Sequence, residues 1–377
     1  KVFQQTVFSF KNFHDAILSY RDLASSYSMT CRMPYTLFTV VMNSMFLLLM
    51  PLGMLLIGGA ANGWAVLADL VFYIFFAPQL AFMMERLMYA VNAKMEAAEA
   101  VKKLEAILKE SPLSEPSPAG RKSPADSSIS FDNVTFTYDG AARPALMNVR
   151  FHLPQGAAYA LVGPSGGGKS TIARLIPRFF DVQEGAVLVG GQDVRSIPAA
   201  ELMEQISFVF QEVHLFKKSI RDNIRAARPN ATEEEILHAA HLAQCGDILE
   251  KIPGGLDAVI GAKGVYLSGG EMQRIVLARA ILKDAPIVVL DEASSFADPE
   301  NEVKIQKAFE ALMKGKTVLM IAHRLSTVRR MDRILVVKKG VVVEEGKHDE
   351  LLEKGGVYAS MWEEYQSAAQ WKVGGEA

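Results

Sequence analysis

Cysteine is scarce. Cys31 and Cys245 are the only two in 377 residues, and they stand far apart with no partner spacing. That excludes a disulfide framework and leaves no cysteine-based metal site to argue for. A strong charge of either sign is also missing. Lys and Arg number 40 against 42 Asp and Glu, a net charge of −2, so composition gives no sign of nucleic acid as a partner. The most informative absence is local: from Met33 to Ala68, 36 consecutive residues contain no Asp, Glu, Lys or Arg. A run of that length suffices for one membrane span and the start of another.

GGAANG at 58–63 interrupts the run as a flexible turn. Spans are expected at about 34–57 and 64–84, with Pro51 and Pro78 tolerated because neighbouring groups in a membrane re-satisfy the freed backbone. Neither segment has the flanks of a signal peptide. Asp69 is the acidic residue just beyond the charge-free run, about 9 Å along the second span. Its carboxylate fits either a translocation path or the headgroup zone. Because the chain starts at Lys1 and two spans enclose little of a pathway, it is expected to be part of a larger set of membrane helices.

After the second span, residues 85–110 carry Leu87, Val91, Ala98, Val101, Leu104 and Leu108 along one helical stripe. This predicts a helical extension into the cytosol, closing a membrane region over 1–110. Residues 111–128 hold six serines and four prolines, a composition that builds no core and reads as a linker. From 129 to 366 the composition is that of a soluble domain, followed by a tail over 367–377. Strand-like runs ISFDNVTF, AAYALVG, AVLVGG, ISFVF, IVVLDE, TVLMIAH and RILVVKKG are interleaved with helical patterns at 169–180, 232–243, 271–283 and 300–313. This alternation predicts an α/β domain with a largely parallel core sheet and an antiparallel edge. RILVVKKGVVVEEG is expected to close as a hairpin.

AYALVGPSGGGKSTIARL is a buried strand, a glycine loop and then a helix. It satisfies the phosphate-loop pattern with Gly163, Gly168, Lys169 and Ser170. Ser165, Gly166, Gly167 and Thr171 complete the loop that would wrap a nucleotide. Glycines let backbone N–H groups converge on phosphates, the following helix adds its positive end, and Lys169 reaches the β- and γ-phosphates. Ser170 is placed to bind Mg²⁺. Downstream, IVVLDE ends a buried strand on two carboxylates: Asp291 for the Mg²⁺ shell and Glu292 to polarise the attacking water. Gln211 ends another strand, where it can coordinate metal or water. His323 follows a third, where it can sit over the γ-phosphate. Each of the last two is equally compatible with a structural role. A second phosphate-shaped turn, LSGGEMQR at 267–274, is left over in a chain with one phosphate loop.

Together these motifs resemble an ABC transporter of the exporter fold. GPSGGGKST matches the Walker A motif, Gln211 the Q-loop, LSGGE the signature, IVVLDE Walker B and His323 the switch histidine. The resemblance implies ATP and Mg²⁺ as cofactors, with Tyr138 stacking on adenine. It implies a second half-transporter, identical or different, paired head to tail. Ser268, Gly269, Gly270 and Glu271 would then close over ATP held by the partner's loop. It further implies α-helical spans joined to a P-loop NTPase domain with a helical subdomain near 212–285. A coupling helix is expected near residues 1–14. Implied partners also include membrane lipid, the remaining transmembrane helices and a transported small molecule, lipid, peptide or chelate, but no nucleic acid. The expected place is a cell membrane, inner or plasma, with the nucleotide-binding domain in the cytoplasm.

Two stretches depart from the family. Before the signature the usual glutamate is replaced in GAKG, with Ala262 at its position and Lys263 after it. After Walker B the chain reads Ser295, Phe296, Ala297, Asp298, which either alters communication between ATP sites or repacks locally. Export is the expected direction. A siderophore or metal-chelate importer of the same fold, a soluble ABC-type ATPase acting on nucleic acid or ribosomes, and a catalytically idle regulatory cassette are the alternatives.

Overall fold

A computed structural model describes residues 4–59, 61–109, 112–261, 264–291, 299–322 and 325–373. It divides into two compact units, Lys1–Ser111 and Pro112–Ala377.

The first unit is helical: α1 (Gln4–Asn43), α2 (Met45–Gly59) and α3 (Gly63–Leu108). α1 is unbroken from Gln4, so no separate coupling helix precedes it among the described residues. The first expected span is divided at Ser44 between α1 and α2. There the Leu47 N–H donates to the Ser44 carbonyl at 2.9 Å, a three-residue step that tightens the turn. Serine competes for backbone hydrogen bonds, which favours a break at Ser44. Gly53 lets α2 approach α3, since a Cβ there would lie 2.5 Å from Leu70 Cδ1. α3 is capped by Asn62, whose side chain accepts from the Ala65 N–H. Among the described residues it is the one helix long and apolar enough to cross a membrane, with a mean hydropathy of 1.8 over its most apolar stretch. At 46 residues it measures about 69 Å, more than twice a hydrocarbon core of about 30 Å. The excess is the charged stretch expected as its cytosolic extension.

The second unit contains two sheets. The first is antiparallel, in order β2-β1-β4-β5, from β1 (Ile129–Phe136), β2 (Leu146–Leu153), β4 (Glu184–Val189) and β5 (Gln192–Asp193). The other runs β10-β9-β3-β8-β7-β6, from β3 (Ala158–Val162), β6 (Ile206–Val209), β7 (Ile287–Asp291), β8 (Thr317–Ile321), β9 (Arg333–Lys338) and β10 (Val341–Gly346). Its strands are parallel except β10, which returns against β9 as the expected hairpin. β3, β7 and β8 are buried apart from the first residue of β3, so they read as near-continuous apolar runs rather than alternating, with Thr317 at the start of β8 and Asp291 at the end of β7 as buried polar ends.

Helices α4 (Lys169–Leu175) and α5 (Ala199–Gln205) follow β3 and β5. α6 (Ile220–Arg225), α7 (Glu233–Leu242), α8 (Gly246–Lys251) and α9 (Gly269–Lys283) lie between β6 and β7. Then come α10 (Pro299–Met313), α11 (Leu325–Val328), α12 (His348–Glu353) and α13 (Val357–Val373). α13 occupies the start of the expected tail. Ile224, Ile236, Ile275 and Leu277 pack α6, α7 and α9 with one face of β7 and β8 through Val288, Leu290 and Met320. Opposite faces of the same strands join α4 and the antiparallel sheet through Val289, Leu319, Ile172 and Phe131.

The Ser- and Pro-rich segment is bonded to the second unit. Arg178 Nη2 donates to the Ser114 carbonyl at 2.8 Å, Lys122 N–H to Ser196 and Ala125 N–H to Gly190. These residues are a strap rather than a free spacer.

α9 is held by Arg274, only 1% exposed along its side chain. Its guanidinium donates to Asp247, to Asn301 and to the Gln244 carbonyl, while Lys304 adds a second cation to Asp247. Burial opposes the Asp247 charge, but the hydrogen bonds from Arg274 and Lys304 outweigh it and bring the carboxyl to about 2. Asp247→Ala removes a charged partner of a buried guanidinium that keeps its Asn301 and Gln244 bonds, and is expected to cost about 2 kcal/mol, read by denaturant unfolding. The folded carboxyl lies below the unfolded value of about 3.9. The wild-type advantage is therefore complete above that value and fades as pH falls toward about 2.

Candidate functional site

Three neighbouring parallel strands, β3, β8 and β7, direct their C-terminal ends to one edge of the sheet, with β6 next to β7. In open α/β sheets ligands collect at that edge. The glycine loop leaves β3, Asp291 ends β7, and Gln211 lies two residues after β6, where it is exposed. Glu292 and His323, assigned from sequence to water activation and γ-phosphate contact, lie outside the described residues. So do Ala262, Lys263 and the segment from Ser295 to Asp298.

The loop is shaped by close backbone approach. Gly163 has φ +142°, and a Cβ there would lie 2.0 Å from the Val337 carbonyl oxygen of β9. Gly167 is nearly as tight, at 2.7 Å from the same oxygen, and its own carbonyl accepts from Gly340 N–H at 2.8 Å. On the other side Pro164, Ser165 and Gly166 are exposed, and a Cβ at Gly166 would meet nothing within 4 Å. The loop is thus pinned beneath and open above, the shape of a cradle for a polyphosphate.

Lys169 opens α4 and is buried. Its ammonium donates to the Gly163 and Pro164 carbonyls at 2.9 and 3.0 Å. Burial pushes it below its usual value, and the Asp291 carboxylate works against that shift. A buried cation facing an open loop, opposed by a buried carboxylate, fits a triphosphate with a divalent ion between them. Ser170 and Thr171 occupy the next positions of α4. Thr171 Oγ1 lies 3.2 Å from Tyr138 Oη. Tyr138 meets Phe136 and Phe180 edge to face, at 4.8 and 5.2 Å between centroids. The aromatic position is therefore tied directly to the phosphate loop's helix.

The signature turn is built differently. Ser268 caps α9: its Oγ accepts from the Glu271 N–H at 3.3 Å. The Glu271 carboxylate in return accepts from the Ser268 N–H at 2.7 Å, closing a capping box. Gly270 packs against Asn301, where a Cβ would come within 3.0 Å, whereas Gly269 faces open space. Lys251, at the end of α8, reaches Glu271 at 3.1 Å. Burial opposes the Glu271 charge, but Ser268 and Lys251 together hold the carboxyl below its usual value.

Beside Gln211 is a cavity of about 480 Å³ lined by Phe208, Phe210, Leu215, Phe216, Val276 and Arg279. Arg279 stacks over the Phe216 ring at 5.4 Å and donates to the Asn223 carbonyl. Sequence reasoning did not find Lys251, Phe180 or Arg178. The first is one charge in a helix and the second one ring among many. Tyr266, 93% exposed beside the signature, carried a signal in its position alone.

Residues 146–295 match the family described as ABC transporter. Over 272 residues the chain is 46% identical to the ATP-dependent lipid A-core flippase of Escherichia coli (strain K12), covering 72% of this chain and 47% of that protein. The flippase of Shigella flexneri gives the same figures. A solved structure described as a bacterial Atm1-family ABC exporter with ATP bound superposes with a TM-score of 0.67 at 32% identity, covering 96% of this chain and 64% of that one. The chain spans about half the length of the curated relatives it matches. It belongs to the ABC transporters of the exporter fold, with an ATP-binding cassette as its second unit. Membership places the apolar helical region in a membrane, the inner one in bacteria, and the cassette on the cytoplasmic side.

Gly163→Ala is expected to abolish measurable ATP binding in a fluorescent-nucleotide titration, since its methyl group collides with a backbone carbonyl. Gly166→Ala meets open space. It should cost about 1–2 kcal/mol of local strain from its left-handed φ and leave binding detectable.

Proposed function

We propose that the chain hydrolyses ATP and couples nucleotide-driven pairing of two cassettes to movement of a substrate across a membrane, in the export direction. The observation that carries this reading is the pinned glycine loop with buried Lys169 opposite Asp291. The printed descriptions of the relatives, a flippase and an exporter, support export. The cargo is a lipid, peptide, other small molecule or chelate, and an importing homologue of the same fold is the second direction to test.

In this reading Lys169 and the N–H groups of residues 163–171 hold the β- and γ-phosphates, and Tyr138 stacks on adenine. Ser170, Gln211 and Asp291 hold Mg²⁺, which offsets the charge that builds on the transferring phosphoryl group. Glu292 orients and deprotonates the attacking water, and His323 supports the γ-phosphate. Ser268, Gly269, Gly270 and Glu271 of a second copy, or of a related half, complete the pocket. ATP favours the paired state by the contacts it makes there and nowhere else. Cassette pairing is in turn converted into rearrangement of the spans.

Glu292→Gln in the full natural polypeptide is expected to keep ATP binding and slow hydrolysis by about 10²-fold or more. Normal turnover in that variant would remove the assignment. Mixing Lys169→Ala with Ser268→Arg chains supplies a second check. Each variant alone damages both pockets of a pair, whereas the mixed pair keeps one pocket intact and should recover activity. Direction is read from substrate flux in sealed vesicles with ATP outside.

A further inference from the structure

The signature turn carries an internal contradiction. α9 offers the positive end of a 15-residue helix, yet its first turn already holds a carboxylate. Glu271 is nine-tenths buried and accepts the Ser268 N–H. A negative charge fixed at this point stabilises α9 but repels any other anion brought to the same turn. Lys251 is the group that answers it. Its ammonium lies 3.1 Å from Glu271 Oε1, while the other carboxylate oxygen faces Ser268. Its own side chain is 71% exposed and comes from a different helix, α8, so it contributes little to packing.

We propose that Lys251 is a positioning residue of the signature turn: by neutralising and anchoring Glu271 it keeps the Ser268–Gly270 lid able to accept the γ-phosphate of ATP bound on the partner cassette. The inference rests on the reading of this turn as a phosphate lid. Lys251 touches no phosphate in this scheme and acts through Glu271 alone. Without it, the carboxylate stays in the capping box, because the Ser268 N–H still holds it, but its charge is unopposed. Two features follow. The defect should appear in the ATP concentration needed to bring cassettes together, not in turnover once they are paired. It should also depend on the charge at position 271.

The experiment uses the full natural polypeptide in lipid nanodiscs, with chains labelled on their cassettes and energy transfer read as ATP is titrated. Lys251→Met is expected to raise the ATP concentration for half-maximal pairing about fivefold, the scale of a partly exposed ion pair. Lys251→Arg should stay near wild type. In a Glu271→Gln background, which keeps a capping side chain without its charge, Lys251→Met should add less than about twofold. The Lys251→Met defect should shrink at an ionic strength of about 1 M, where screening acts over about 3 Å. An equal loss in both backgrounds would mean that Lys251 meets phosphate directly or serves the fold, and the proposal fails. A loss of thermal stability with no change in the ATP midpoint also overturns it. Ser268→Arg separates the two levels. If that variant pairs normally with ATP, the lid reading itself falls and takes this inference with it. If Ser268→Arg blocks pairing while Lys251→Met is silent, the lid stands and the role of Lys251 does not.

Discussion

Between Gly163 and the carbonyl of Val337 there is no room for a methyl group, and the nucleotide half-site depends on that contact. β9 presses its backbone into the underside of the glycine loop, and Gly340 of the following turn bonds the Gly167 carbonyl. The loop cannot relax downward, so its remaining freedom is on the exposed side, at Pro164, Ser165 and Gly166. Parallel pairing of β9 with β3 fixes the register of this clamp, with Val162 opposite Val336 one residue before it. A hairpin far along the chain therefore shapes the loop at residue 163, and the fold must be complete before the cradle exists.

Both anion-facing turns are satisfied from within. Lys169 donates to two carbonyls of its own loop, and Ser268 and Glu271 cap each other. Each arrangement avoids a buried polar group without a partner, which would cost about 1–3 kcal/mol. Phosphate binding is then an exchange of hydrogen bonds rather than a net gain of them. The exchange favours an anion because the ammonium then faces a full negative charge in place of a carbonyl dipole. At Lys169 the groups displaced are neutral carbonyls. At the signature turn the resident acceptor is itself a carboxylate, so the same advantage disappears unless its charge is met by Lys251. The two turns look alike in sequence, as small residues opening a helix, and differ in this respect.

Much of the cassette was legible because its signals are local. Strand β7 is IVVLD and β8 is TVLMI, each four apolar residues in a row with one polar residue at an end, and the glycine loop is a pattern of φ-permissive residues around one lysine. β2 escaped because Asn148, Arg150 and His152 interrupt its apolar positions, leaving LMNVRFHL with the alternation of a half-exposed strand and no continuous apolar run. The division of the first apolar run at Ser44 was hidden for a related reason. Hydropathy averages over a window, whereas a helix breaks at one hydrogen bond. Of the candidate site, Lys169 opens α4, Asp291 ends β7 and Ser268 caps α9, placements that follow from local sequence. Lys251 could not be read, since it meets Glu271 across 20 residues through two helices that only the tertiary fold brings together.

The strap over 112–128 shows the limit most clearly. Five serines and four prolines describe a spacer by composition, but composition is silent about backbone groups, and the backbone is what is held here. Arg178 follows α4 by three residues, has φ +56° and is buried; its Nε and Nη2 donate to the two Asp181 carboxylate oxygens, and Nη2 also donates to the Ser114 carbonyl. Its guanidinium is held charged by the Asp181 hydrogen bonds, which outweigh the effect of burial. A non-glycine residue in the left-handed region costs about 1–2 kcal/mol, and the ion pair and the bond to the strap offset that cost. The first residues of the second unit are thus tied to the segment that follows the phosphate-loop helix. Proline suits such a strap: it fixes φ and restricts the unfolded chain, so less entropy is lost on holding the segment.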